Sequence, residues 1–240
     1  MKCKLCLKQK KLRNSHVISE FLYTSLYDKK IHRFHVLSTI PEITRRFEQK
    51  GIRERLLCDD CEQLISPFED YVRRVLYGGV MIGIEDENTH IILSNIDYTK
   101  FRLFQLSVLW RSGVSTLPHF TSVRLGERNE EKLRNMILTK NPGEPHEFGT
   151  VNFVIYDESR KMLDELIMSP DMIKIKGRRW YRFIFGGIFW VYFASGHAPD
   201  AIFHDKFLTK EGTMVLFKNK LDDMEFLKRW AVELKSHPKM

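Results

Sequence analysis

The chain has 240 residues, 43% hydrophobic, 12% aromatic and 29% charged, which excludes a disordered or fibrous protein and leaves a globular one able to bury a core. No stretch reaches the ~18 apolar residues of a membrane span, and the basic start MKCKLCLKQKKLRN lacks a signal peptide's apolar run, so a cytoplasmic protein without a membrane partner is expected. The net charge is +8, but residues 1–57 hold 14 basic against 5 acidic side chains and the rest has one more acidic than basic, which concentrates attraction for a polyanion at one end.

In chain order, Cys3 and Cys6 open the sequence beside a lysine cluster, the pattern of a tight knuckle leading into a short strand. Residues 17–30 place Phe21, Leu22, Leu26 and Tyr27 at helical spacing behind Ser19 as a cap. A strand is expected over 31–40, ended by Pro41, and a short charged helix over 42–50, stopped by Gly51. The second pair, Cys58 and Cys61, opens a longer helix with Leu64, Ile65, Phe68, Tyr71, Val72, Val75 and Leu76 on one stripe. Asp59, Asp60 and Glu62 complement the dipole of its first turn, and Pro67 is a point for a kink or a division. Gly78 and Gly79 end it, which places the boundary of an N-terminal domain at 1–78 and leaves 79–240 as a second.

Beyond the glycines, GGVMIGIED and THIILSN read as strands joined by a turn at Glu87 and Asn88. A long helix follows through Trp110, a second helix covers 129–138 with Asn129 as its cap, and NPGEPHEFG at 141–149 is a loop. TVNFVIY, MIKIK, WYRFIFG and IFWVYFA are rich in β-branched and aromatic residues and read as strands of an antiparallel sheet, with hinges at Gly177 and at Gly186–Gly187. The segment LDDMEFLKRWAVELK closes the chain as a helix, so the expected class is α+β: a zinc-binding N-terminal domain followed by an α+β domain with an antiparallel sheet.

Four cysteines in two Cys-x-x-Cys pairs read as metal ligands before disulfides, and four thiolates suit a closed tetrahedral Zn²⁺ that holds the fold rather than performing chemistry. A knuckle supplying Cys3 and Cys6, with a helix N-terminus supplying Cys58 and Cys61, is the layout of a treble-clef finger, and the helix terminus favours thiolate.

Between the pairs, LRNSHVIS puts His16 at the end of the first strand, and in LLCDDCE Glu62 follows the last cysteine directly. Cys-x-x-C, a strand-terminal His, then L-C-x-x-C with a ligand-type residue after it resembles the HNH (ββα-metal) nucleases with a cysteine-bound zinc, over residues 1–77. SHVIS resembles the family's His, two aliphatics and a proline, with Ser19 in the proline's place. The resemblance implies that His16 activates water against a phosphodiester while a separate Mg²⁺ or Mn²⁺ stabilises the leaving oxygen. It puts Glu62 where the family has its last His or Asn, as a catalytic residue and cation ligand, with Glu69 two helical turns on as a second ligand. Ser15 stands where the family often has an Asp, with Asn14 as a substitute, and no residue takes the place of the family's loop Asn.

Each of these residues also has a plainer role: His16 as a packing histidine, Glu62 as a dipole partner, Glu69 as a solvated helix residue, and His32 and His35 as surface groups. Arg111, beside Trp110 on an apolar helix, is expected to be buried in an ion pair with a carboxylate ahead of clamping a phosphate. Trp180, after Arg178 and Arg179, is expected in the core. Two functions therefore compete. One is a metal-dependent nuclease acting on nucleic acid, DNA ahead of RNA, as in a bacterial antiviral defence effector. The other is a non-catalytic zinc module that binds nucleic acid, or a protein partner through 79–240.

Overall fold

The computed structural model describes residues 1–28, 30, 32–36, 42–43, 46–194 and 199–236. Among these, a knuckle at Cys3–Cys6 leads into a two-stranded antiparallel ribbon of β1 (Leu12–His16) and β4 (Arg53–Cys58). Between them lie a 3₁₀ segment, Glu20–Leu26, and a small hairpin of β2 (Phe34–Val36) and β3 (Arg46–Glu48). β4 runs directly into α1 (Asp59–Tyr77).

A seven-stranded sheet follows, built from β5 (Gly83–Asp86), β6 (His90–Ser94), β7 (Thr150–Tyr156), β8 (Met168–Ile175), β9 (Arg178–Phe185), β10 (Ile188–Phe193) and β11 (Met214–Lys220). Its order is β5-β6-β11-β7-β10-β9-β8. One face carries α2 (Tyr98–Val114), flanked by α1 and by α3 (Glu127–Leu138). The other carries the 3₁₀ segment Ala201–Lys206 and α4 (Glu225–Ser236), packed on Val151, Phe189, Val191 and Phe193. The fold is thus mixed α+β, with the cysteines of the N-terminal part gathered beside the first helix.

α2 is buried on every side from Phe101 to Ser112, which is why its residues lack an amphipathic pattern: it lies between the sheet and the two other helices. Phe101 and Phe104 meet Trp190 of β10 at 6.1 and 6.4 Å between ring centres. One apolar core runs from Cys3 and Leu5 through α1 and α2 to Leu216, across the Gly78–Gly79 pair at the end of α1.

Several sequence expectations need correction. The sheet is mixed rather than antiparallel, because β11 enters beside β7 in parallel register, Leu216 opposite Asn152. That strand carries no expectation in the sequence reading; its basic end, KNK, obscures the apolar start MVLF. Residues 46–48 form a strand, not a helix: Phe47 faces His35 across the hairpin, and the chain leaves it through Gly51 at φ +66°, where a Cβ would lie 2.8 Å from the Tyr23 ring. Residues 31, 37–41, 44 and 45 of the expected strand and helix lie outside the described residues. Within 17–30, Glu20–Leu26 is 3₁₀ rather than α-helical, and Ser19 holds the cap position without a side-chain capping bond. α3 begins two residues early, so Gly126 caps it and Asn129 sits inside with its amide donating to the Leu125 carbonyl at 3.0 Å. The closing helix is divided, a 3₁₀ turn at Leu221–Asp223 preceding α4. Pro67 neither divides α1 nor ends it; it lies on the exposed side, where water reaches the carbonyl that loses its partner.

Candidate functional site

Knuckle and helix start bring Cys3, Cys6, Cys58 and Cys61 together, with all four sulfurs within 4.8 Å of one another and no disulfide among them. Cys6 and Cys58 Sγ are 3.8 Å apart. A tetrahedral ion with metal–sulfur bonds of about 2.3 Å sets its sulfurs about 3.8 Å apart, so the spacing fits a shared ion. The knuckle closes through the Leu7 N–H on the Cys3 carbonyl at 2.9 Å, with Leu7 in the left-handed region at φ 59°. The Cys58 N–H donates to Cys3 Sγ at 3.3 Å, which stabilises negative charge on that sulfur.

Four thiols this close cannot all ionise without a cation. Burial and the three neighbouring thiols push Cys61 far up, and burial raises Cys58. Cys6 is brought down to about 7, because the Lys8 N–H and the other thiols outweigh the opposing effect of burial. A divalent ion removes that conflict, so this group of cysteines can hold a structural metal. Charges around the knuckle are partly spent locally: Lys10 pairs with Asp60, and Arg13 with Asp59 at 2.6 Å.

His16 ends β1. Its Nε2 lies 2.8 Å from the Lys50 carbonyl, and since a carbonyl only accepts, Nε2 carries the proton and Nδ1 keeps its lone pair. Burial lowers the imidazole pKa, against the Lys50 carbonyl and Glu20, with Arg53 and Arg111 adding to the fall, so the ring is neutral near pH 7. Ser15 is buried, and its hydroxyl accepts the Leu57 N–H at 3.1 Å, which ties the ribbon together.

Glu62 is half-buried, and its Oε1 is shielded from water with no hydrogen-bond partner among the described residues. Glu69 has a different environment: Oε1 takes the Arg111 guanidinium at 2.8 Å and the Ser19 hydroxyl at 2.5 Å. Seven residues of continuous helix separate the two by a rise of about 10.5 Å. Arg111, 1% exposed, thus finds the carboxylate expected for it. It also donates to the main-chain carbonyl of His16 at 2.8 Å and to Ser19 Oγ at 3.1 Å, so one side chain of α2 fixes both the histidine's backbone and α1.

Two further ties join this region to the rest and are invisible in the local sequence, because their partners are distant in the chain. Glu54 of β4 accepts from the Ser115 and Thr116 hydroxyls beyond α2, both at 2.6 Å. Arg134 of α3 donates to the Leu5 carbonyl inside the knuckle at 2.8 Å. Ser19 is legible as a cap and as the stand-in for the proline of the resemblance; its side chain serves the Glu69–Arg111 pair. Trp180 is buried between Phe193 and Phe203, each 4.9 Å away, as expected of a core residue, and His32 is exposed.

No protein-family profile, curated protein or solved structure gives a significant match to this chain. Among the described residues no helix is long and apolar enough to cross a membrane.

Proposed function

We propose that the chain is an HNH-like endonuclease whose N-terminal treble clef is held by a structural Zn²⁺ on Cys3, Cys6, Cys58 and Cys61, and that it hydrolyses nucleic-acid phosphodiesters with DNA as the first substrate to try. The observation that carries this reading is His16 at the end of β1, its Nε2–H committed to the Lys50 carbonyl and its Nδ1 left as a base. A neutral imidazole so oriented takes the proton from a water attacking phosphorus as the bond to the leaving oxygen breaks. The orphaned Oε1 of Glu62, one residue past the zinc ligand Cys61, is a donor that suits Mg²⁺ or Mn²⁺. Such a cation supplies neutralisation of the leaving oxygen. Glu69, as counter-ion to Arg111, positions the histidine's backbone through that arginine instead of facing the cation.

The test is cleavage of supercoiled plasmid and of single-stranded RNA by purified protein in Mg²⁺ or Mn²⁺, with zinc content measured on the same samples. His16→Ala is expected to abolish cleavage with zinc and fold intact, and Glu62→Ala to raise the Mg²⁺ needed. An active wild type whose cleavage survives His16→Ala overturns the mechanism and leaves the finger as a scaffold. The competing reading, a zinc module that only binds, is favoured by one observation: Ser15, at the place of the family's Asp, has its hydroxyl in the ribbon's own hydrogen bonding.

A further inference from the structure

Away from the cysteines, a cavity of about 810 Å³ opens where the 3₁₀ segment Glu20–Leu26 and the β2–β3 hairpin face β8, β9 and α4. That volume is in the range of small-molecule sites, roughly 300–1,000 Å³, and far above a packing void. Two aromatic pairs stand on its walls, Tyr23 with Phe34 at 5.4 Å and Phe189 with Phe226 at 5.3 Å between ring centres. Phe120 and Ile184 complete an apolar lining that suits a flat ring.

The charged groups on the lining are Glu165, Asp171, Arg182 and Arg229. Asp171 pairs with Arg182, which also lies 4.0 Å over the Phe226 ring, and Glu165 is 3.6 Å from Lys161. Arg229 has no ion pair among the described residues and is the cation on this wall that can meet a negative charge. His119 also lines the cavity: it is 9% exposed and both ring nitrogens are shielded from water, so the ring contributes packing to the wall rather than a hydrogen bond.

We propose that this cavity binds a small aromatic anion, its ring between the Tyr23–Phe34 and Phe189–Phe226 walls and its single acidic group at Arg229. The site shares no ligand with the cysteine centre, so it stands or falls independently of the nuclease reading.

The experiment uses the full chain with its metal and the fluorescent probe 1-anilinonaphthalene-8-sulfonate, an aromatic body with one sulfonate. Saturable binding of one probe per chain is expected. Ile167→Trp, which places a large ring in the cavity from a half-buried wall position, is expected to weaken it by at least about tenfold, equivalent to about 1.4 kcal/mol. Arg229→Ala is expected to weaken it by about threefold, as for a partly exposed charge contact. Displacement by benzoate or by adenosine monophosphate then separates a carboxylate from a phosphate as the natural acidic group. Absence of saturable binding by the wild type overturns the proposal. So does binding that stays within about twofold of wild type in an Ile167→Trp protein of unchanged melting temperature. If that variant does not fold, Leu26→Phe on the facing wall decides by the same criterion.

Discussion

Nine positions apart on α2, two buried arginines serve two regions held by different physics. Arg111 points to the metal region, where it meets the Glu69 carboxylate, a serine hydroxyl and a main-chain carbonyl. Arg102 lies against the sheet side, where its hydrogen-bond partners among the described residues are neutral: Gln105 Oε1 at 3.1 Å and the carbonyls of Glu147 and Phe148 at 2.5 and 3.3 Å. Its Nε has no partner, and burial lowers its pKa. Around Arg102 stand the aromatic residues Tyr98, Phe148 and Tyr192, and around Arg111 are the end of β1, Ser19 and α1, tied by specific polar contacts. The metal region is assembled by opposite charges and ligands; the sheet region is assembled by volume and tolerates a cation that only dipoles solvate. Each region should therefore fail in its own way.

The strongest test of that contrast is metal removal. Cys58→Ser, or exhaustive chelation, is expected to cost several kcal/mol, since folding of small metal regions draws on binding free energies of about 10–16 kcal/mol. Hydrogen exchange should then show lost protection in β1 and β4 while the amides of β9 and β10 remain protected. Equal loss in both regions would abolish the distinction and make the shared core the controlling feature.

Next in size is the Arg111 pair. Glu69→Ala leaves a buried guanidinium without its carboxylate and is expected to cost about 3 kcal/mol in chemical denaturation, below the largest such losses because Glu69 is partly exposed. Arg102→Met, which removes a cation that never had a carboxylate, is expected to cost less, about 1–2 kcal/mol. A reversed order would show that dipoles hold Arg102 better than an ion pair holds Arg111.

Legibility in the sequence follows the same division. The cysteine group was readable because its ligands are identical in kind and close in spacing, and Arg111's need for a carboxylate was readable because a charge on an apolar helix has few options. Its partner was not, since Glu69 is 42 residues away and joined to it only by packing. The central strands β7, β9 and β10 stood out by β-branched and aromatic content, whereas β3 and β11 were missed because three to seven residues with Lys, Arg and Glu carry little periodicity of their own and take their form from a neighbour. His119 drew no attention at all; a lone histidine after a proline acquires meaning only when the cavity beside it is seen.

Comparable in size is a pH effect at His119, beside the cavity. Burial, helped by Arg46, brings the His119 pKa from 6.5 to about 4 in the folded chain. Between those values the unfolded chain takes up a proton that the folded one refuses, so this residue makes stability rise with pH from about 4 to 6.5 and lose that contribution as pH falls back. The effect is at most about 3 kcal/mol. His119→Phe should flatten this part of the stability profile, read by urea denaturation at pH 5 and pH 7. A profile unchanged by the substitution would mean that the ring takes up its proton equally well in the folded and unfolded chain.

The smallest effect returns to the knuckle. Leu7 holds φ 59°, a conformation that costs a non-glycine residue about 1 kcal/mol, and its side chain is 42% exposed, so little burial offsets the strain. Glycine at this position relieves the strain, but it also gives the unfolded chain freedom worth about 0.4–1 kcal/mol, so Leu7→Gly is expected to shift stability by no more than about 0.5 kcal/mol in either direction. Metal binding is a more sensitive readout, because the Leu7 N–H must reach the Cys3 carbonyl for the knuckle to present Cys6. Competition with a chelator is expected to show affinity equal to wild type or up to about twofold higher, consistent with a region governed by ligands and backbone geometry. A clear loss of affinity would instead assign the knuckle's order to apolar packing of Leu7, and the metal region would then be built by the same means as the sheet.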